Sequence, residues 1–327
     1  MFKRVVCFAI SVSVFFYILP TPLLPALESP PENSLAPRTA ATVPKATLVT
    51  AESIQNADRE LLEKIEKDSF QYFLRLSDKT TGLTRDSSRP GSPSSVAATG
   101  FSLAALAIAG SRGWIPSETA YSRILVTLQT LRYKAAHQEG FFYHFLDNRT
   151  GNRVWSSEAS SIDTALAVAG AFLAAQYYPG TEVEKLAKEI YERVNWNWMM
   201  NGSDFICMGW TPESKFLPYY WDSYNELMLL VALAIGSPTY PVPPQAWERW
   251  LRPEETYNSH KVIYASSGSL FTYQFSHAYI DFRNLDDKGI NYFENSREAT
   301  LANREYSLSF AGKYRGYSAA SWGLSAS

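Results

Sequence analysis

Two short stretches place carboxylates where acid/base chemistry could use them. In "YYWDSYNELMLLVALAIG" (219–236), Asp222 and Glu226 stand among aromatic residues, and nine apolar residues and a glycine follow. In "WSSEASSIDTALAVAG" (155–170), Glu158 and Asp163 open a second apolar run. Paired carboxylates across a cleft are what glycoside hydrolysis requires: one, kept protonated, donates to the leaving oxygen, and the other activates water or attacks directly. Trp155, Trp210, Tyr219, Tyr220, Trp221 and Tyr224 lie close by in sequence, and aromatic faces suit stacking on sugar rings.

Each feature has a plainer explanation. Acids gather at helix starts because the helix dipole favours them there. Ser157 or Ser160 could be the N-cap of the second stretch, with Glu158 a first-turn acid. Asp163 is harder to dismiss, since Asp is a poor residue inside a helix. Asp222 and Glu226, four apart, are expected on one helix face, where like charges cost a few tenths of a kcal/mol. Any single Trp is more often core than platform.

The elements that would position these acids fall into two kinds. "GFSLAALAIAG" (100–110), "SIDTALAVAGAFLAAQ" (161–176) and "NELMLLVALAIG" (225–236) are apolar nearly all round, the pattern of helices buried on every face. "SETAYSRILVTLQTL" (117–131) and "TEVEKLAKEIYERV" (181–194) are amphipathic, the second opening with a Thr181–Glu184 capping box. An earlier amphipathic helix is expected from near Asp58, with Leu61, Leu62, Ile65, Tyr72, Phe73 and Leu76 on its apolar face. Gly110, Gly170 and Gly236 mark successive inner helices. Alternation of inner and outer helices, with few strand-like patterns, implies an all-α toroid of helical hairpins. Six hairpins of about 60 residues would need roughly 360 residues, so the toroid is expected to be incomplete at the C-terminus.

Further polar candidates lie outside these helices. Gln274, His277 and Asp281 have helical spacing and are expected to share a face, with Arg283 two residues on; Asp281 and Arg283 could equally form a structural ion pair. Arg85 and Asp86 sit in the polar loop "GLTRDSSRPGS" (82–92), as rim residues or simply solvated ones.

Composition narrows the classes. A net charge of −2 with pI near 6.1 offers no footprint for nucleic acid. The histidines, His137, His144, His260 and His277, show no HExxH or similar spacing, and no DxxDD run supports an isoprenoid cyclase. No metal or cofactor is therefore expected, although carboxylate-bound calcium stays open. The chain starts with Lys3 and Arg4 followed by an uncharged run from Val5 to Leu19, which reads as a signal peptide or N-terminal anchor over 1–27. A Pro-, Ala-, Ser- and Thr-rich tether is expected over 28–56, and a single domain over 57–327. Export to the periplasm or beyond follows, with no membrane partner other than such an anchor. Cys7 falls in the leader, leaving Cys207 alone and without a disulfide partner.

Nine segments in order resemble the glucoamylase-like domain family, which includes bacterial endo-β-1,2-glucanases and a domain of cyclic β-1,2-glucan synthases. They are "TGLTRD", "GFSLAAL", "GFFYHFLDNRTG", "SSEASSIDTAL", "NWNWMM", "YNELMLLVALAIGSPTYP", "LFTYQFSHAYIDFR", "NYFENSREATLANREY" and "SWGLSAS". The resemblance implies an (α/α)6 toroid and an exported, cofactor-free inverting hydrolase acting on a β-linked glucan, a β-1,2-glucan foremost. By position it implies Glu226 as proton donor, with Glu158 and Asp163 as further cleft acids. Trp210, Gln274, His277, Asp281, Arg283 and Trp322 match subsite positions. Members of the family continue past "WGLSAS" to a final inner helix bearing another acid, so the alternative reading is an inactive carbohydrate-binding protein that lacks it.

Overall fold

The computed structural model describes residues 56–324. The expected leader, the tether up to residue 55, Cys7 and the last three residues of "SWGLSAS" lie outside the described residues. In chain order the helices are α1 (Asn56–Leu76), α2 (Val96–Ser111), α3 (Ser117–Tyr133), α4 (Ser161–Tyr177), α5 (Glu182–Arg193), the single turn α6 (Trp196–Met199), α7 (Leu227–Ile235), the single turn α8 (Ala246–Arg249) and α9 (Tyr292–Ser309). Outer α1, α3 and α5 alternate with inner α2, α4 and α7, giving three outer–inner hairpins among the described residues. The arrangement is all-α and built as in an (α/α) toroid.

The inner helices are buried as their composition demands. Leu227, Met228, Leu229, Leu230, Val231 and Ala234 of α7 all lie in the core, and burial of each large one stabilises the fold by about 1.5–3 kcal/mol. Small residues in α2 and α4 let the two helices touch backbone to backbone. A Cβ added to Gly170 would lie 2.0 Å from the Gly100 carbonyl oxygen, and one added to Gly100 would lie 2.5 Å from that of Leu166. The three landmark glycines are not equivalent: Gly170 makes this crossing, Gly110 faces Ala120, and Gly236 ends α7. Helix starts keep better time, since Val96, Ser161 and Leu227 are 65 and 66 residues apart.

Outer helices differ from expectation in two details. In α1 only the second half packs inward, through Phe70 and Phe73, whereas Leu61, Leu62 and Ile65 are exposed. At α5, Val183, Leu186 and Ile190 form the buried stripe, but the capping box is displaced by one residue. Glu184 accepts from the Gly180 amide at 2.6 Å, and the Thr181 hydroxyl donates to the Tyr178 carbonyl at 2.7 Å. Gly180 has φ of 73°, which lets its amide turn back toward Glu184.

Small antiparallel sheets, too short for a period-two pattern, knit together one end of the bundle. β1 (Ser94–Ser95) pairs with β4 (Phe145–Leu146), and β2 (His137–Gln138) with β3 (Phe141–Phe142). β5 (Ala159–Ser160), β6 (Gly209–Thr211) and β7 (Lys215–Phe216) form a three-stranded sheet. β1 runs directly into α2 and β5 into α4, so these sheets fix the N-terminal ends of inner helices. A longer hairpin, β8 (Glu254–Tyr257) and β9 (His260–Ile263), packs on α9. Here His260 of β9 is clasped between Glu298 at 2.7 Å and Glu305 at 3.2 Å.

Candidate active site

The N-terminal ends of α4 and α7 bring together a group of charged side chains. Ser160, the N-cap of α4, accepts from the Asp163 amide and donates to Asp163 Oδ2 at 2.5 Å. Asp163 thus occupies the third helical position, where the dipole favours an acid, rather than a helix interior. Its other oxygen faces His144 Nε2 at 3.7 Å. The Nδ1 of His144 meets Glu158 Oε1 at 3.0 Å, and its backbone amide donates to the Glu158 carbonyl at 2.8 Å.

Electrostatics follow from this geometry. Burial alone would lower the His144 pKa, but Asp163, the hydrogen bond and charge of Glu158, and the charge of Asp86 together raise it to about 9. Burial pushes the Glu158 carboxyl up, but the bond to His144 and its charge, a backbone hydrogen bond and the charge of Arg153 together more than reverse that, leaving it below the usual range. Asp86 is held above its ordinary value, chiefly by burial and also by the charge of Asp163, against the pull of His144. Ligand-capable atoms of His144, Glu158 and Asp163 lie within 4.8 Å of one another, a set able to hold a cation. A metal there would need His144 deprotonated, in competition with the proton that the two carboxylates favour on the ring.

Glu226 is the N-cap residue of α7, but its side chain makes no capping bond. The orphan amides at this end are satisfied by others. Asn225 Oδ1 accepts from the Leu227 amide at 2.9 Å, and Ser276, fifty residues later, accepts from the Leu229 amide at 3.1 Å. Ser276 Oγ in turn donates to the Glu226 carbonyl at 2.9 Å. The Glu226 carboxyl is thereby released from structural duty. It keeps partial solvent contact while protein crowds around it. Desolvation, aided by the charge of Asp163 and opposed by a backbone hydrogen bond, raises its pKa to about 7.

The remaining candidates disperse. Asp222 is exposed in an extended segment before α7, not on its helix, so the four-residue pairing with Glu226 does not exist. Trp221 is buried and donates to Ser161 Oγ at 2.8 Å, and Tyr224 is buried against Tyr273, Tyr292 and Trp250; both are core, not sugar platforms. The chain over 270–283 forms two 3-10 turns, Leu270–Tyr273 and Ser276–Ala278, so Gln274, His277 and Asp281 share no α-helical face. Gln274 is exposed; His277 bonds Ser296 at 2.9 Å, and burial lowers its pKa to about 4. Asp281 and Arg283 form the bidentate ion pair foreseen as the plainer alternative. Trp322 is half-buried beside Arg304.

Trp210 is half-buried, lies opposite Ala159 in the β5–β6 pair, and packs against Trp198. Arg85 and Asp86 are partly buried, and the Tyr72 hydroxyl donates to both their carbonyls, fixing the loop that brings Asp86 toward His144. Two residues escaped the sequence reading. His144 left a faint signal, one basic residue inside "FFYHFL". Ser276 left none, because its partner is fifty residues away.

Fold and site define a helical toroid whose inner-helix N-termini carry a carboxylate cluster around a protonated histidine. The Glycoamylase family model matches residues 218–327. An exo β-1,2-glucooligosaccharide sophorohydrolase of Parabacteroides distasonis is 26% identical over 319 residues, covering 85% of this chain, which spans 44% of that relative's length. The endo-β-1,2-glucanase of Chitinophaga pinensis, solved with sophorotriose and glucose, superposes with a TM-score of 0.74 at 26% identity, over 81% of this chain and 71% of that one. A β-1,2-glucanase of Parabacteroides distasonis matches in fold with a TM-score of 0.76 at 24% identity, over 83% of this chain and 44% of that one. The chain is thus similar to glucoamylase-like proteins and to β-1,2-glucanases.

Proposed function

We propose that this chain is a glycoside hydrolase that cleaves a β-linked glucan, with β-1,2-glucan as the substrate class. One observation carries the proposal: Glu226, a partly exposed residue at the start of a buried helix, has its pKa raised by desolvation to about 7. That is the condition of a general acid that must protonate a glycosidic oxygen near neutrality. Asp163, bound by Ser160 and facing the His144 imidazolium, supplies negative charge next to the developing oxocarbenium ion and water. Glu158 acts through His144, holding the ring that faces Asp163. The activities named for the two relatives at 26% identity support the β-1,2 linkage, and the family resemblance supports a single displacement with inversion at the anomeric carbon.

The test is reducing-sugar release from linear β-1,2-glucan by the intact chain and by Glu226→Gln. A loss of about 10²–10⁴-fold is expected, the usual contribution of a positioned acid. Equal rates in the two proteins would sink the assignment, and proton NMR of the first-formed anomer reads the stereochemistry.

A further inference from the structure

The loop that delivers Glu158 carries an anomaly that packing does not explain. The Ser157 amide donates to the Val154 carbonyl at 3.1 Å, closing a tight turn with Trp155 and Ser156 at its centre. Both have positive φ, 57° and 53°, the signature of a type I′ turn, which is the province of Asn-Gly and Gly-Gly. A bulky side chain there is an outlier, and such strain, of order 1–3 kcal/mol for each residue, persists only where surroundings enforce it. Arg153 enforces it from one side: Nε donates to the Ser157 carbonyl at 2.6 Å, and its two terminal nitrogens grip Glu213 at 2.7 and 2.8 Å.

The strained residue is also exposed. Trp155 leaves 66% of its surface in solvent, the most open tryptophan or tyrosine among the exposed large hydrophobic residues. The indole meets the Phe145 ring in an edge-to-face contact, with centroids 5.1 Å apart at 61°, and Phe145 stacks on the His144 ring at 3.9 Å and 14°. A line of rings therefore runs from the carboxylate-bound imidazole outward to an indole that leaves most of its surface in solvent. Core packing accounts for neither the backbone conformation nor the exposure.

We propose that Trp155 is the stacking platform of an outer sugar-binding subsite, presented to a gluco-oligosaccharide by the type I′ turn. The apolar C–H face of a pyranose covers the indole, while the reacting bond lies farther in, at Glu226. This rests on the hydrolase reading and adds which residue grips the chain away from the scissile bond. Because the platform is remote from the bond, it contributes uniform binding and acts on KM rather than kcat. It also acts only on ligands long enough to reach it.

The test uses the full chain and two variants, Trp155→Gly and Trp155→Phe, each also in the Glu226→Gln background. Calorimetry with β-1,2-linked gluco-oligosaccharides of increasing length reads binding without turnover. Trp155→Gly is expected to weaken binding of the longer oligosaccharides by about three- to tenfold, the worth of one aromatic stack, and to leave the shortest unchanged. Its Tm is expected to hold or rise, since glycine adopts positive φ freely. Trp155→Phe is expected to restore most of the affinity. In the active background KM rises while kcat holds.

Unchanged affinity for every length in Trp155→Gly overturns the inference yet leaves the Glu226 assignment intact. A fall in Tm with unchanged affinity overturns it too, by showing that the turn is structural. Failure of any oligosaccharide to bind Glu226→Gln, together with no turnover by the unsubstituted chain, removes both this inference and the hydrolase reading.

Discussion

A carboxyl that donates protons at neutral pH must lose hydration without gaining a cationic partner. Glu226 meets that condition, while Glu158, beside His144, meets the opposite one. The consequence for pH dependence has a definite sign. Native Glu226 holds its proton to about pH 7 against an ordinary value of 4.5, so kcat/KM is expected to fall as pH rises through about 7. Over the same window the native state binds more protons than the unfolded one, and its stability therefore drops as pH increases. Glu226→Gln has no such charge to bury. It is expected to be more stable than the unsubstituted chain above pH 7 by up to roughly 2–3 kcal/mol, with the difference vanishing below about pH 4.5; urea titrations at several pH values read it. Glu226, Asp163 and Glu158 were legible in sequence because each stands at the edge of an apolar run. His144 was not, since only the fold shows that its ring lies between two carboxylates from later in the chain.

At the scale of elements, the inner helices were visible from composition and the outer ones from periodicity, because burial on all sides and on one side leave different patterns. What stayed invisible were the pieces held by partners distant in sequence: two-residue strands, 3-10 turns, and the cap of α7. The expected helix through Gln274, His277 and Asp281 failed for this reason, as that segment is shaped by contacts with α7 and α9, not by its own spacing. Ser276 sits at the junction. Ser276→Ala is expected to cost about 1 kcal/mol, the worth of a cap. It should also shift the alkaline limb of kcat/KM, because the Glu226 backbone loses its tether. Ser276→Thr, which keeps the hydroxyl, should restore both. A stability loss with an unmoved pH profile would show that the serine serves the helix alone.

For the whole molecule, the crossing of α2 and α4 sets the frame. Inner helices separated only by glycine hold their N-terminal ends at a fixed spacing, and with them Ser95, Ser160 and Asp163. Gly170→Ala would drive a methyl to 2.0 Å from the Gly100 carbonyl oxygen, with backbone rather than a flexible side chain in the way. The expected cost exceeds about 3 kcal/mol, read as a lower urea midpoint and a matching loss of activity. Alanine at Gly110, which meets the Ala120 methyl at 2.8 Å, is expected to cost less, because a side chain gives way more readily than backbone.

The cap on α7 has a further consequence, in time rather than space. Ser276 follows Glu226 by fifty residues, so a ribosome finishes α7 well before the hydroxyl that anchors it exists. During that interval the acid lacks the anchor that fixes its backbone, and the start of α7 is tethered only when the later segment docks. The start of α7 is thus completed by a residue made much later: a half-made molecule carries the acid but not the hydroxyl that tethers its backbone.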